Sequence, residues 1–127
     1  MCEGWLYVSR VRLREVLRCG ALEDLVPGLE RVVDELVERY RPLEVIVAGS
    51  LARGEFVRGL SDVDILVVVE REVSDSERFA LRSVGDVDVE VTVVSRRELE
   101  EAVAAGNPFY AEAFERGVRV YSSKASR

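Results

Sequence analysis

Histidine is absent from this 127-residue chain. The side chain that most often serves as a general base at neutral pH is therefore missing, and any chemistry must run on carboxylates, arginines and bound metal ions. Cysteine is scarce as well. Cys2 and Cys19 are the only two, too few for a disulfide framework and, without histidine, unable to complete a zinc site. Both read as reduced thiols, Cys19 as a small core residue. Apolar runs such as 65–69 fall far short of the roughly 20 residues a membrane helix requires. The opening Met1-Cys2-Glu3-Gly4-Trp5 has neither the basic region nor the apolar stretch of a signal peptide, so a cytoplasmic location is expected. Lysine is represented by Lys124 alone, with very little Asn, Gln or Thr, a mild pointer to a heat-adapted or GC-rich source. The net charge of −6 argues against strong non-specific binding of nucleic acid, which depends on a basic surface.

What is present is an ordinary globular composition, 48% hydrophobic and 33% charged. The length suits one domain over 1–127, with an irregular N-terminal segment at 1–20 and a frayed tail at 122–127. No internal repeat, low-complexity tract or linker interrupts it.

The chain is organised around 45–69, VIVAGSLARGEFVRGLSDVDILVVV. An apolar strand ends in Gly49-Ser50, a polar loop follows, and Asp62 and Asp64 stand at the mouth of a second apolar strand. Alternate strand residues share a face, which puts the two carboxylates on one side, roughly 6.5 Å apart along the backbone. Paired acids raise each other's pKa unless a cation lies between them. Oxygen ligands at this spacing suit Mg²⁺ or Mn²⁺, which commonly bridge to phosphates. The Gly49-Ser50 end complements them. Glycine permits close approach of the backbone, a helix opening at Ser50 aims free N–H groups at an anion, and Arg53 one turn on offers a fork matched to phosphate oxygens.

Outside this stretch the pattern is mostly architectural. Ser9 is a possible cap for a helix burying Val11, Leu13, Val16 and Leu17, although the period there is indistinct. Leu22, Leu25, Val26, Leu29, Val32, Val33, Leu36, Val37 and Tyr40 recur at helical spacing, with Pro27 in the first turn and Pro42 forbidding continuation. Strands are expected at 43–48 and 64–69, and a helix at 74–84 with Phe79 and Leu81 inward, ended by Gly85. The run 86–94 alternates strictly: Val87, Val89, Val91 and Val93 on one face, Asp86, Asp88, Glu90 and Thr92 on the other. Ser95-Arg96-Arg97-Glu98 is a capping box for a helix with Leu99, Ala102 and Val103 inward. Asn107-Pro108 opens another, whose Phe109, Tyr110, Ala113 and Phe114 read as a core-facing aromatic stripe, and 118–121 reads as a last short strand.

Gly49-Ser50-Leu51-Ala52-Arg53-Gly54 followed by Ser61-Asp62-Val63-Asp64-Ile65 resembles the Gly-Ser…Asp-x-Asp signature of the DNA polymerase β-like nucleotidyltransferases, and more narrowly the minimal nucleotidyltransferases of prokaryotes. The resemblance implies an α/β (α+β) fold, a mixed sheet with helices packed on it. It implies a metal-dependent enzyme that moves NMP, with AMP from ATP the expected case, onto an acceptor hydroxyl. Asp62 and Asp64 would be joined by a third carboxylate from the neighbouring strand, Glu90 by preference and Asp88 as the alternative. The three would hold two Mg²⁺ or Mn²⁺ ions, while Gly49, Ser50 and Arg53 bind the triphosphate. Arg58, in the loop, is within possible reach of the phosphates but fits a solvated loop charge better. Little chain remains for binding primer, RNA or antibiotic, so the acceptor platform is expected from a partner: a helical HEPN-type protein whose tyrosine receives AMP, in an antitoxin-like pairing, or a second copy in a homo-oligomer. A glutamate at position 90, where much of the family carries aspartate, keeps a second reading open: a catalytically weak or inactive binding module of the same fold. A metal-dependent glycosyltransferase would need a larger domain.

Overall fold

The computed structural model describes residues 13–18 and 22–123. Ser9, Val11, both cysteines and residues 124–127 lie outside them.

Five strands make one mixed sheet in the order β3-β4-β2-β1-β5: β1 (Glu44–Ala48), β2 (Val63–Val69), β3 (Phe79–Val84), β4 (Val87–Ser95) and β5 (Val118–Ser122). The central strands β1 and β2 are continuous apolar runs because helices cover both of their faces. On one face α1 (Val26–Tyr40) and the helical stretch 13–18 pack Leu13, Leu17, Leu29, Val33 and Leu36 against Val45, Val47, Ile65, Val67 and Val91. On the other, α3 (Arg96–Ala104) and α4 (Pro108–Arg116) pack Leu99 and Ala113 over Ile46, Ala48, Leu66, Val68 and Val94. The one-turn helix α2 (Gly49–Arg53) joins β1 to the loop before β2.

Helix boundaries follow their caps. A 3₁₀ turn at Glu23–Leu25 precedes α1, so the helix proper begins at Val26 with Pro27 in its first turn. It ends where Arg41 adopts a left-handed φ of 45° and Pro42 follows. Ser95 and Glu98 form the expected capping box of α3, and the Asn107 carboxamide accepts from the Phe109 and Tyr110 N–H groups at the start of α4.

Two expectations are overturned. Residues 74–84 are not a helix: a 3₁₀ turn at Asp75–Glu77 leads into β3, which pairs antiparallel with β4 through a tight turn at Gly85 and Asp86. Because β3 runs back along the sheet edge, β4 can slot in parallel to β2 without a crossover helix. Val84 faces Val87 across the turn, and Gly85 takes φ 59°, the positive value such short hairpins demand. Phe79 and Leu81 consequently point outward, 69% and 66% exposed. The aromatic stripe of α4 is core only in part, with Tyr110 packed against the cluster of Leu99 and Ala113. Ala113 is its buried residue, Phe109 and Phe114 are exposed, and a β-carbon on the following Gly117 would collide with Ile46. At position 117 the chain meets the sheet too closely for any side chain to fit. At the C-terminal end, Ser122 belongs to β5 and the Ser123 N–H donates to the Leu43 carbonyl, so order extends further than the expected tail at 122–127 allows.

Candidate active site

The open part of the sheet lies beyond α3 and α4, where β2 and β4 begin. Asp64 on β2 and Glu90 on β4 are register partners of a parallel pair and share the face that α4 covers further along. Asp62, just before β2, reaches the Glu90 carboxyl: a hydrogen bond to Asp62 is the largest influence pushing Glu90 above the usual carboxylate range, followed by burial and the charges of Asp64, Asp62 and Asp88. Asp64 is raised too, first by burial and then by the Asp62 charge, with Arg53 pulling the other way. Asp88 lies opposite Ser83 at the outer side of the same face and acts on Glu90 only through its charge. The register therefore singles out Glu90, not Asp88, as the acid beside Asp64.

Gly49 borders Asp64 on the opposite side. It has φ 67°, and a β-carbon there would strike the Asp64 carboxylate. Only glycine serves at such a corner, where positive φ and lack of space coincide. Ser50 follows in the first turn of α2, whose N-terminus has no side-chain cap.

Arg53 is turned partly away. Its Nη1 lies 2.7 Å from Glu112 Oε1 of α4 and its Nε 2.9 Å from Glu55 Oε1. Arg58 does not extend toward the acids; it clamps the loop. Its guanidinium takes both Asp24 oxygens at 2.9 and 2.7 Å and both Asp86 oxygens at 3.2 and 2.7 Å, tying the segment before β2 to the approach to α1 and to the β3–β4 turn. The Ser61 hydroxyl accepts from the Val57 N–H at 3.0 Å and tightens the same loop. Neither the clamp nor Glu112 was visible in the sequence, since the partners lie 28 to 59 residues away.

The donors gathered here are oxygens, with no nitrogen or sulfur ligand among them. Among the described residues no three acidic side chains form a ready-made ligand shell. Instead Asp62 and burial push both Asp64 and Glu90 above the usual carboxylate range, and the nearest guanidinium is engaged elsewhere. That electrostatic debt is of the kind a hard divalent ion settles, so the residues fit Mg²⁺ or Mn²⁺.

Residues 29–118 match the nucleotidyltransferase domain family. The chain belongs to that family. The fold and the recognised signature agree with a minimal nucleotidyltransferase of the polymerase β-like superfamily, and nucleotidyl transfer is the reaction class the family supports. Over 104 residues this nucleotidyltransferase domain is also 30% identical to the threonine-tRNA ligase catalytic subunit of Metallosphaera sedula. The alignment covers 81% of the present chain but 18% of that protein. Among the described residues of the nucleotidyltransferase, no helix is long and apolar enough to cross a membrane.

Proposed function

We propose that this nucleotidyltransferase transfers AMP from ATP to a hydroxyl on a partner protein, a tyrosine of a helical HEPN-type protein, in a reaction that depends on Mg²⁺ or Mn²⁺. The observation that carries the proposal is the register of β2 and β4, which sets Asp64 beside Glu90 with Asp62 on the Glu90 carboxyl and Gly49 close behind.

Asp62, Asp64 and Glu90 would hold two divalent ions, which supply charge neutralisation on the triphosphate and activation of the acceptor hydroxyl. Gly49 lets the β- and γ-phosphates approach the backbone, and the Ser50 hydroxyl donates to a phosphate oxygen. Arg53, released from Glu112, adds its fork to the same oxygens. The acceptor oxygen forms a bond to the α-phosphorus, the bond from that phosphorus to the bridging oxygen breaks, and pyrophosphate leaves. The hydroxyl proton passes to the Glu90 carboxylate, the most exposed of the three acids and the one beside the open sheet face.

The test is label transfer. With α-labelled ATP, Mn²⁺ and the co-expressed helical partner, label is expected on a partner tyrosine and is expected to vanish in Asp62→Asn/Asp64→Asn. Absence of transfer, with binding and inhibition of the partner surviving those substitutions, would establish the catalytically silent binding module instead.

A further inference from the structure

Phe79 and Leu81 stand on the same sheet face as Glu90, Leu81 as its register partner and Phe79 as that of Thr92. Both are two-thirds exposed, on the last strand at that side of the sheet. Together with Ala80, Glu90 and Val91 they line a hollow of about 330 Å³. Exposed apolar residues at alternate positions of an edge strand are a liability that proteins usually blunt with charge or proline. Here the two arginines of this segment are both spent internally, Arg78 on Glu98 and Arg82 on Glu35. The apolar strip is left bare beside the acids.

Its place relative to the site gives it a use. Displacement at a phosphorus requires the entering and leaving oxygens to lie in line on opposite sides. If the triphosphate lies at Gly49 and Ser50, beside β1, the leaving pyrophosphate is on that side of Asp64. The attacking hydroxyl must then arrive from the Glu90 side, over β4 and β3. We infer that the outward face of β3, with Phe79 and Leu81, is the docking strip for the acceptor protein. The strip takes an extended segment with apolar side chains at alternate positions and a basic residue flanking the acceptor tyrosine. This rests on the transferase reading above.

The chemistry of the segment follows from the rim. Asp88 stands beside Ser83 at one end of the strip, and near the other Asp75 is fully exposed, its Oδ1 3.7 Å from Arg78 Nη2. A segment bearing lysine or arginine gains from both, whereas an acidic one is repelled, as the overall charge of −6 also requires. Addition as a strand along β3 supplies backbone hydrogen bonds, and the spacing of Phe79 and Leu81 matches the two-residue repeat of such a strand. A strand added beyond β3 is two strand spacings, roughly 10 Å, from β4. That distance favours tyrosine over the shorter serine.

The experiment is selection of random 12-residue peptides displayed on phage by the immobilised full chain, in parallel on wild type, Phe79→Ser/Leu81→Ser and Phe79→Tyr/Leu81→Met. Wild type is expected to enrich peptides with alternating apolar residues next to Lys or Arg. The serine variant, checked for an unchanged melting temperature, is expected to lose at least tenfold in enrichment, and the conservative variant to keep most of it. Equal enrichment on the serine variant, or no such consensus on wild type, overturns the inference. The selection uses no nucleotide, so a failure of the transferase reading would appear separately, as peptides that bind on wild type but are never labelled from ATP.

Discussion

The Arg58 guanidinium meets the Asp86 carboxylate across the β3–β4 turn, Nη2 at 2.7 Å from Oδ1 and Nε at 3.2 Å from Oδ2. With its remaining donors it grips Asp24. The loop it fastens leads directly to Asp62, whose carboxylate must reach Glu90. Arg58→Met is therefore expected to loosen the loop and lower transfer about ten- to hundredfold, the range expected from misplacing a reacting group by about an ångström. Melting temperature should change little, because the pairs are largely solvated. Hydrogen exchange should rise at the amides of 55–61. The clamp also resists acid. Arg58 holds both Asp24 and Asp86 below the usual carboxylate range, so their contribution is present above the ordinary pKa and is lost only as the pH falls through the lowered values. Fast exchange of the loop already at mildly acidic pH would contradict this.

Gly49 is held against Asp64 by lack of space as well as by φ 67°. Gly49→Ala should cost about 1–2 kcal/mol from left-handed backbone strain alone, read from the denaturant midpoint. Its methyl group must also displace the Asp64 carboxylate. Transfer should then fall by more than the stability loss explains, with the wild-type stability curve merely shifted. A variant that melts earlier yet transfers normally would show that Asp64 has room the structure does not give it.

The parts of the fold legible from sequence were those with a local cause. α1 declared itself by helical spacing and two prolines, β4 by strict alternation, α3 by its capping box, and the Gly49-Ser50 and Asp62-Val63-Asp64 corner by its signature. Glu90 could be preferred over Asp88 from the strand pattern, but only the pairing with β2 sets it beside Asp64. A helix over 74–84 requires Phe79 and Leu81 to face the core, and in β3 both are exposed. A local cue pointed the other way: Phe-Ala-Leu-Arg-Ser-Val alternates and runs into Gly85-Asp86, a two-residue hairpin signal. The Arg58 clamp and the Arg53–Glu112 pair have no local trace at all, since both are made by elements that meet only after folding.

Burial and the neighbouring Asp62 raise Asp64 above the usual range, and the Asp62 hydrogen bond and burial raise Glu90. For an acid raised on folding, the folded state holds its proton to higher pH than the unfolded chain does. These two groups thus take stability away as the pH climbs from the ordinary carboxylate pKa through the raised one. Asp64→Asn should accordingly raise the melting temperature of the metal-free protein at pH 7, an advantage that shrinks on acidification. Mn²⁺ should reverse the order, stabilising wild type and leaving the variant unaffected. Calorimetric scans at several pH values, with and without Mn²⁺, check both signs.

Arg53 sits between two claims. Glu112 and Glu55 hold its guanidinium, and the same guanidinium lowers the Asp64 pKa from a distance. A triphosphate at Gly49 and Ser50 would have to compete with Glu112 for it, so the carboxylate of α4 weakens nucleotide binding in proportion to how firmly it holds. Glu112→Gln removes the charge while keeping the shape, and should lower KM for ATP a few-fold with kcat nearly unchanged. Arg53→Ala should raise KM about tenfold, the loss of one charge-assisted phosphate contact. In the double variant the benefit of Glu112→Gln should disappear, because no guanidinium remains to be released. If Glu112→Gln lowers KM equally in the presence and absence of Arg53, the competition is not the cause, and the long-range field of Glu112 on the phosphates must be.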